Sequence, residues 1–182
     1  MFHLWKIKIS NWKKVTRMGS FNYGKQETLD YLFQNFPQGS TCLDVGACDG
    51  VWSKSLRNHF HIDAVEIYEP NILTHRLEQK YEHVYCCDIK DFFYEHYDIV
   101  IFGDVIEHME VADAQKALAF ALDHADEVIV AVPYRYKQGA IYGNRWEKHI
   151  QDDLTHEIFM ERYPGFERFV AFTNYGYYKR RE

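Results

Sequence analysis

The chain has 182 residues, 47% of them hydrophobic and 26% charged, and a formal net charge of −6 at pH 7. That length supports one domain with a real core and is short for two, and the negative balance argues against a nucleic-acid binder that works through bulk electrostatics. No apolar run is long enough to span a bilayer and no secretion signal is apparent. The four cysteines, Cys42, Cys48, Cys86 and Cys87, include no CxxC pair, so a reduced, cytoplasmic protein is expected.

Residues 1–24 carry Lys6, Lys8, Lys13, Lys14 and Arg17 without an acidic residue, which reads as a solvated arm or a contact for an anionic partner. Leu29, Leu32, Phe33 and Phe36 then recur at helical spacing up to the breaker Pro37-Gln38-Gly39. Short apolar runs at 41–45, 64–68, 83–86, 98–102 and 127–132 read as strands. Helical stretches at 52–60, 70–81 and 111–124 lie between them, with a short polar stretch near Asp91. Repeated strand–helix units with near-continuous apolar strands predict an α/β fold, a mostly parallel sheet with helices on both faces. A helix over 152–162 and a hairpin turning at Thr173-Asn174 close the chain, antiparallel to the rest.

The run from Cys42 to Trp52, "CLDVGACDGVW", sits where the first strand turns into the next helix. Glycines there let the backbone turn sharply and approach a ligand. Its Gly46-x-x-x-Gly50 spacing is not that of a dinucleotide fingerprint, and no Gly-Lys-Ser/Thr of a phosphate-binding loop occurs. Asp44 and Asp49 bring negative charge into the turn, which suits a cationic or zwitterionic ligand better than a pyrophosphate. About 20 residues on, where nucleotide-binding α/β folds place an acid for the ribose hydroxyls, stands Glu66, with Glu69 as the competing position.

Taken in order, "LDVGACDG", "VEIYEP", "CCDIKDF" and "YDIVIFGDVIEHM" resemble the motifs of the class I S-adenosylmethionine-dependent methyltransferases, over about residues 41–133. The resemblance implies a Rossmann-like, doubly wound sheet of seven strands with the hairpin as strands six and seven, and a single methyltransferase domain over 25–182. It assigns Asp44 and Gly46 to the amino-acid end of S-adenosylmethionine, Gly50 to close approach, and Glu66 to the ribose with Ile67 beside it. Asp88 would take the adenine amino group, Ile89 would pack on the ring, and Gly103 and Asp104 would underlie the methionine moiety. Cys48 stands where the family often has Gly.

Methyl transfer to oxygen needs a base, and His108, with Glu107 at the carboxyl edge of the fourth strand, is the first candidate. Asp104-x-x-Glu107-His108 with His149 or His156 also partly resembles the metal set of small-RNA 3′-terminal 2′-O-methyltransferases. Glu-His is equally widespread in metal-free small-molecule enzymes, and a metal-free site is expected. The stretch after the fifth strand reads as a cover for the pocket, with Trp146 and Tyr142 as a stacking wall and Arg135, Lys137 and Arg145 for an anionic substrate. The expected activity is O-methylation of a small-molecule or sugar-like acceptor, supported by His108 and by the absence of an Asn/Asp-Pro-Pro-Tyr/Phe motif at Gly103-Asp104-Val105-Ile106. Metal-dependent 2′-O-methylation of RNA and a non-catalytic cofactor-binding subunit remain the alternatives, and a homodimer or partner subunit stays open.

Overall fold

Strands β1 (Thr41–Val45), β2 (His61–Val65), β3 (Val84–Tyr85), β4 (Tyr97–Gly103), β5 (Ala125–Pro133), β6 (Phe166–Phe172) and β7 (Tyr175–Arg180) form one sheet in the order β3-β2-β1-β4-β5-β7-β6. The pairs among β1 to β5 are parallel, and β7 is antiparallel to both β5 and β6. This computed structural model describes residues 24–141 and 143–181. The basic arm expected at 1–24, apart from Gly24, and Tyr142 lie outside the described residues. No described helix is long and apolar enough to cross a membrane.

Strand alternation divides the core between the two faces of the sheet. Val100 and Phe102 of β4 and Val128 and Val130 of β5 point to one side, under Ala114 and Leu118 of α4 (Val111–Asp123) and Phe159 of α5 (His156–Arg162). Ile99, Ile101 and Ile129 point to the other. There they meet Leu32 of α1 (Lys25–Asn35), Trp52 and Leu56 of α2 (Val51–Leu56) and Ile72 of α3 (Glu69–His75). Both faces are covered, so the parallel strands read as unbroken apolar runs, as anticipated.

The departures are local and have physical reasons. β2 pairs residue for residue with β1 from Thr41↔His61 to Val45↔Val65, so it starts and ends earlier than expected and leaves Glu66 in the turn beyond. The helix expected over 70–81 breaks at Arg76, whose φ of 52° is left-handed, and resumes as a 3₁₀ turn at Leu77–Gln79. Phe33 of the predicted α1 stripe is 39% exposed and lies against the rings of His59 and Phe60, while Thr28 and Leu32 are the buried pair.

Candidate active site

A cavity of about 580 Å³ opens at the carboxyl ends of β1, β2 and β4, where open α/β sheets bind ligands, and its size suits a drug-sized molecule. The turn after β1 shapes one wall. Gly46 has φ 70°, and a Cβ there would meet a Val105 methyl carbon at 2.7 Å, so only glycine fits. Cys48, at φ 47°, holds the same left-handed conformation, which is the physical reason glycine is favoured at this position. Its backbone N–H donates to Glu66 Oε2 at 2.8 Å, and the Tyr68 N–H donates to Oε1 at 2.8 Å. Each Glu66 oxygen is thus held by one N–H and keeps lone-pair capacity for a ligand hydroxyl. Burial pushes the Cys48 thiol up to about 12, so it is no nucleophile at neutral pH.

Ile67, Asp88, Ile89, Gly103 and Asp104 also line the cavity. Asp88 already accepts from the Lys90 N–H and from its ammonium, both at 3.2 Å. Asp104, at φ 58°, donates its N–H to Ala131 O at 3.0 Å and accepts the Tyr175 hydroxyl. Two expected cofactor residues lie elsewhere. Asp44 shares the strand face of Cys42, so its side chain is buried beneath the turn, where the Tyr81 hydroxyl donates to it at 2.5 Å. Desolvation raises its pKa to about 7, against the opposing Tyr81 bond. Gly50 caps α2 at φ 73°, and a Cβ there would strike the Lys80 side chain at 2.8 Å; it serves the turn rather than close approach by a ligand.

Opposite the glycine turn, Glu107 and His108 lie in a 3₁₀ turn at Ile106–His108, just after β4. His149 comes from the segment after β5. Ile150 and Gln151 donate their N–H groups to Glu107 O at 2.8 and 3.0 Å, which draws that segment against the turn. The His108 and His149 rings meet edge to face at 4.6 Å. Each Nδ1 faces a backbone carbonyl, Lys148 O at 3.2 Å and Tyr136 O at 2.7 Å. A carbonyl can only accept, so Nδ1 carries the hydrogen and Nε2 the lone pair. Burial, then His149, lowers His108 to about 4, and burial lowers His149 as well. His108 is therefore a neutral imidazole of low proton affinity, which limits it as a free-standing base at neutral pH.

Glu107 is 1% exposed, and neither carboxylate oxygen has a hydrogen-bond partner among the described residues. Burial, then the Asp104 charge, raises its pKa well above the usual carboxylate range. His156, the alternative histidine, lies apart, stacked on Tyr178. Arg135, Lys137 and Arg145 are exposed and do not line the cavity; Arg145 lies 4.4 Å over the Trp146 ring instead. The expected anionic-substrate contact is thus not formed at the cavity wall. Trp146 does line it, together with Glu147, which the sequence reading passed over inside "NRWEKH". Burial and the nearby Glu66 charge raise the Glu147 pKa. The one lysine or arginine among the lining residues is Lys90, against seven acids, Glu66, Asp88, Asp104, Glu107, Glu110, Asp113 and Glu147, a charge balance matched to a cationic ligand.

A family model described as a methyltransferase domain matches residues 20–147. The chain belongs to that methyltransferase family. It is a class I S-adenosylmethionine-dependent methyltransferase, with the seven-stranded order and terminal hairpin of that fold. The methyltransferase is similar in structure to an S-adenosylmethionine-dependent methyltransferase from Clostridium acetobutylicum ATCC 824, with TM-score 0.65 and 11% identity over 85% of this chain and 88% of that one. It is also similar to the N-methyltransferase NodS from Bradyrhizobium japonicum WM9, with TM-score 0.58 and 11% identity over 88% and 98% of the two chains. A third is CalS10, an amino pentose methyltransferase from Micromonospora echinaspora, with TM-score 0.61 and 14% identity over 85% and 88%. At such identities the likeness is one of fold. No curated protein matches the methyltransferase in sequence.

The cavity fits S-adenosylmethionine on its own evidence. The sharp glycine turn on the cavity wall at Gly46, a Glu66 carboxylate with each oxygen held by a single N–H, and lining charges that are acidic except for Lys90 suit an adenosyl sulfonium carrying an ammonium group. Glu66, Ile67, Asp88, Ile89 and Gly103 would hold it.

Proposed function

We propose that this methyltransferase moves the methyl group of S-adenosylmethionine to a hydroxyl oxygen of a small, sugar-sized acceptor seated against Glu107, His108 and His149. When bound, the cofactor supplies a methyl group already activated on a sulfonium, so the protein's main task is alignment of the acceptor. The observation that carries the reading is the pair of imidazoles with Nδ1 tied to backbone carbonyls, which leaves one unprotonated ring nitrogen on each beside the place of a hydroxyl acceptor. Glu66 orients the cofactor through its two clamped oxygens. Trp146 and Ile150, each more than a third exposed, give the acceptor an apolar wall that helps exclude water. The amino pentose methyltransferase among the similar structures supports an acceptor of sugar size, and it makes nitrogen the reading to beat.

Matched acceptors decide between them. Labelled methyl from S-adenosylmethionine is offered to pairs of sugars that differ only in hydroxyl against amine at one carbon. Label on oxygen is expected, and label confined to the amines overturns the proposal. Thermal melts with S-adenosylmethionine, S-adenosylhomocysteine and NAD check the cofactor, since a ligand bound by the folded state alone raises its melting temperature.

A further inference from the structure

A buried carboxylate without a partner is costly in free energy, and native structures avoid it unless a ligand completes the group. Glu107 is such a group, 1% exposed with both oxygens unpartnered among the described residues, on the wall of the cavity. One potential donor atom each from Glu107, His108 and His149 lies within 4.8 Å of the other two. Both imidazoles have their tautomer fixed by a carbonyl behind Nδ1, the outer-shell arrangement that orients a histidine ligand. His96, Asp98 and Asp126 form a second cluster at similar spacing, but Asp98 is occupied by the Thr41 N–H at 2.5 Å and hydroxyl at 2.9 Å, and His96 and Asp126 are exposed. Only the first cluster has both a buried, vacant carboxylate and imidazoles with fixed tautomers.

From this juxtaposition we infer that Glu107, His108 and His149 bind a divalent transition-metal cation, through one carboxylate and two imidazole nitrogens beside the methyl-transfer cavity. Two nitrogen donors favour Mn²⁺, Fe²⁺, Co²⁺ or Zn²⁺ over Mg²⁺ or Ca²⁺, which prefer oxygen shells. Three protein ligands leave coordination positions open toward the cavity. The acceptor hydroxyl occupies one of them, and the cation lowers its pKa as it does that of bound water. The hydroxyl proton leaves to solvent, the oxygen bonds to the methyl carbon, and the carbon–sulfur bond breaks with its electron pair staying on sulfur. This transfer role rests on the hydroxyl reading above, whereas the binding of the cation does not. Such a site departs from the metal-free one expected from the sequence.

Cobalt titration of the untagged full chain, stripped with chelator, tests the site through the visible spectrum of the bound ion. One Co²⁺ per chain is expected, with affinity falling more than about tenfold in both Glu107→Gln and His149→Ala. Each variant is checked for the melting shift that S-adenosylmethionine gives the parent, which reports an intact fold and cofactor pocket. Absence of stoichiometric Co²⁺ binding in the parent, or parent-like affinity in either variant, overturns the site. Activity lost on stripping and restored by Mn²⁺ or Co²⁺ supports the transfer role, and full activity of metal-free protein overturns it. A parent that binds one cation yet methylates only amines leaves the metal site standing and removes the hydroxyl reading instead.

Discussion

Two glutamates, one in β5 and one in the turn that follows the neighbouring β4, are buried to nearly the same degree and treated in opposite ways. Glu127, in β5, is 5% exposed, and its carboxylate accepts the Tyr31 hydroxyl and the N–H groups of Val128 and Arg180, the latter two at 2.9 Å. Glu107, just beyond β4, has none of this. The first ties α1 and β7 to the sheet and is a structural group. The second is buried without a hydrogen-bond partner among the described residues, beside two imidazoles, on the wall of the cavity at the carboxyl edge of the sheet. Burial of an acid therefore does not mark a site here; the lack of partners does.

Replacing each glutamate separates the two roles. Glu127→Ala strands three donors in the interior, and a loss of about 3–5 kcal/mol is expected, on the order of 10 °C in melting temperature for a chain of this size. Glu107→Gln keeps the shape of the side chain and breaks no side-chain hydrogen bond among the described residues, so its melting temperature at pH 7 should stay within about 3 °C of the parent. Methyl transfer should fall by about 100-fold or more, close to 2.7 kcal/mol in the barrier. A melting loss in Glu107→Gln as large as that in Glu127→Ala would collapse the distinction.

Asp44 is an intermediate case, a buried carboxylate that accepts the Tyr81 hydroxyl. Its pKa rises from 3.8 to about 7, chiefly through desolvation. Between those values the unfolded chain has lost the proton that the folded protein retains, so stability falls as pH climbs from about 4 to 7. Asp44→Asn removes that slope. Melts across this range should show the variant gaining on the parent as pH rises, with a flatter profile, and parallel profiles would contradict the assignment. The smallest effect belongs to Cys48→Gly, which relieves a left-handed φ of 47°. A gain of about 0.5 kcal/mol is expected, since glycine's larger unfolded-state entropy offsets part of the relief. Glu66 keeps its clamp there because the donor is backbone, and unchanged cofactor affinity in isothermal titration checks it.

The sheet was legible because parallel strands covered on both faces must be apolar throughout, and "YDIVIFG" and "DEVIVAV" have few other uses. The Glu107-His108 pair was legible too, as a motif at a strand end. Where the side chains point was not. Asp44 looked like a ligand residue from its place in the glycine turn, but strand alternation sends it toward Tyr81, a partner far along the chain. His149 and His156 were equivalent candidates in sequence. They differ because Ile150 and Gln151 pair with the Glu107 carbonyl, whereas His156 opens α5 and packs on Tyr178. The basic residues of the same segment suggested an anionic substrate, yet cation–π packing of Arg145 on Trp146 and exposure of the others keep them off the cavity wall. Each of these depends on long-range pairing, which local spacing does not encode.

The stitching of the segment after β5 to the Glu107 turn has one further consequence. Besides the two N–H bonds to Glu107 O, the Gln151 side-chain amide donates to Ile106 O at 2.7 Å and to Met109 O at 3.1 Å. Histidines far apart along the chain are thereby held at fixed mutual distance before any ligand arrives. The loop-closure entropy of gathering them is spent during folding rather than at binding. What reaches this corner of the cavity meets a rigid chelate, and Gln151, which is not among the lining residues, sets its effective concentration.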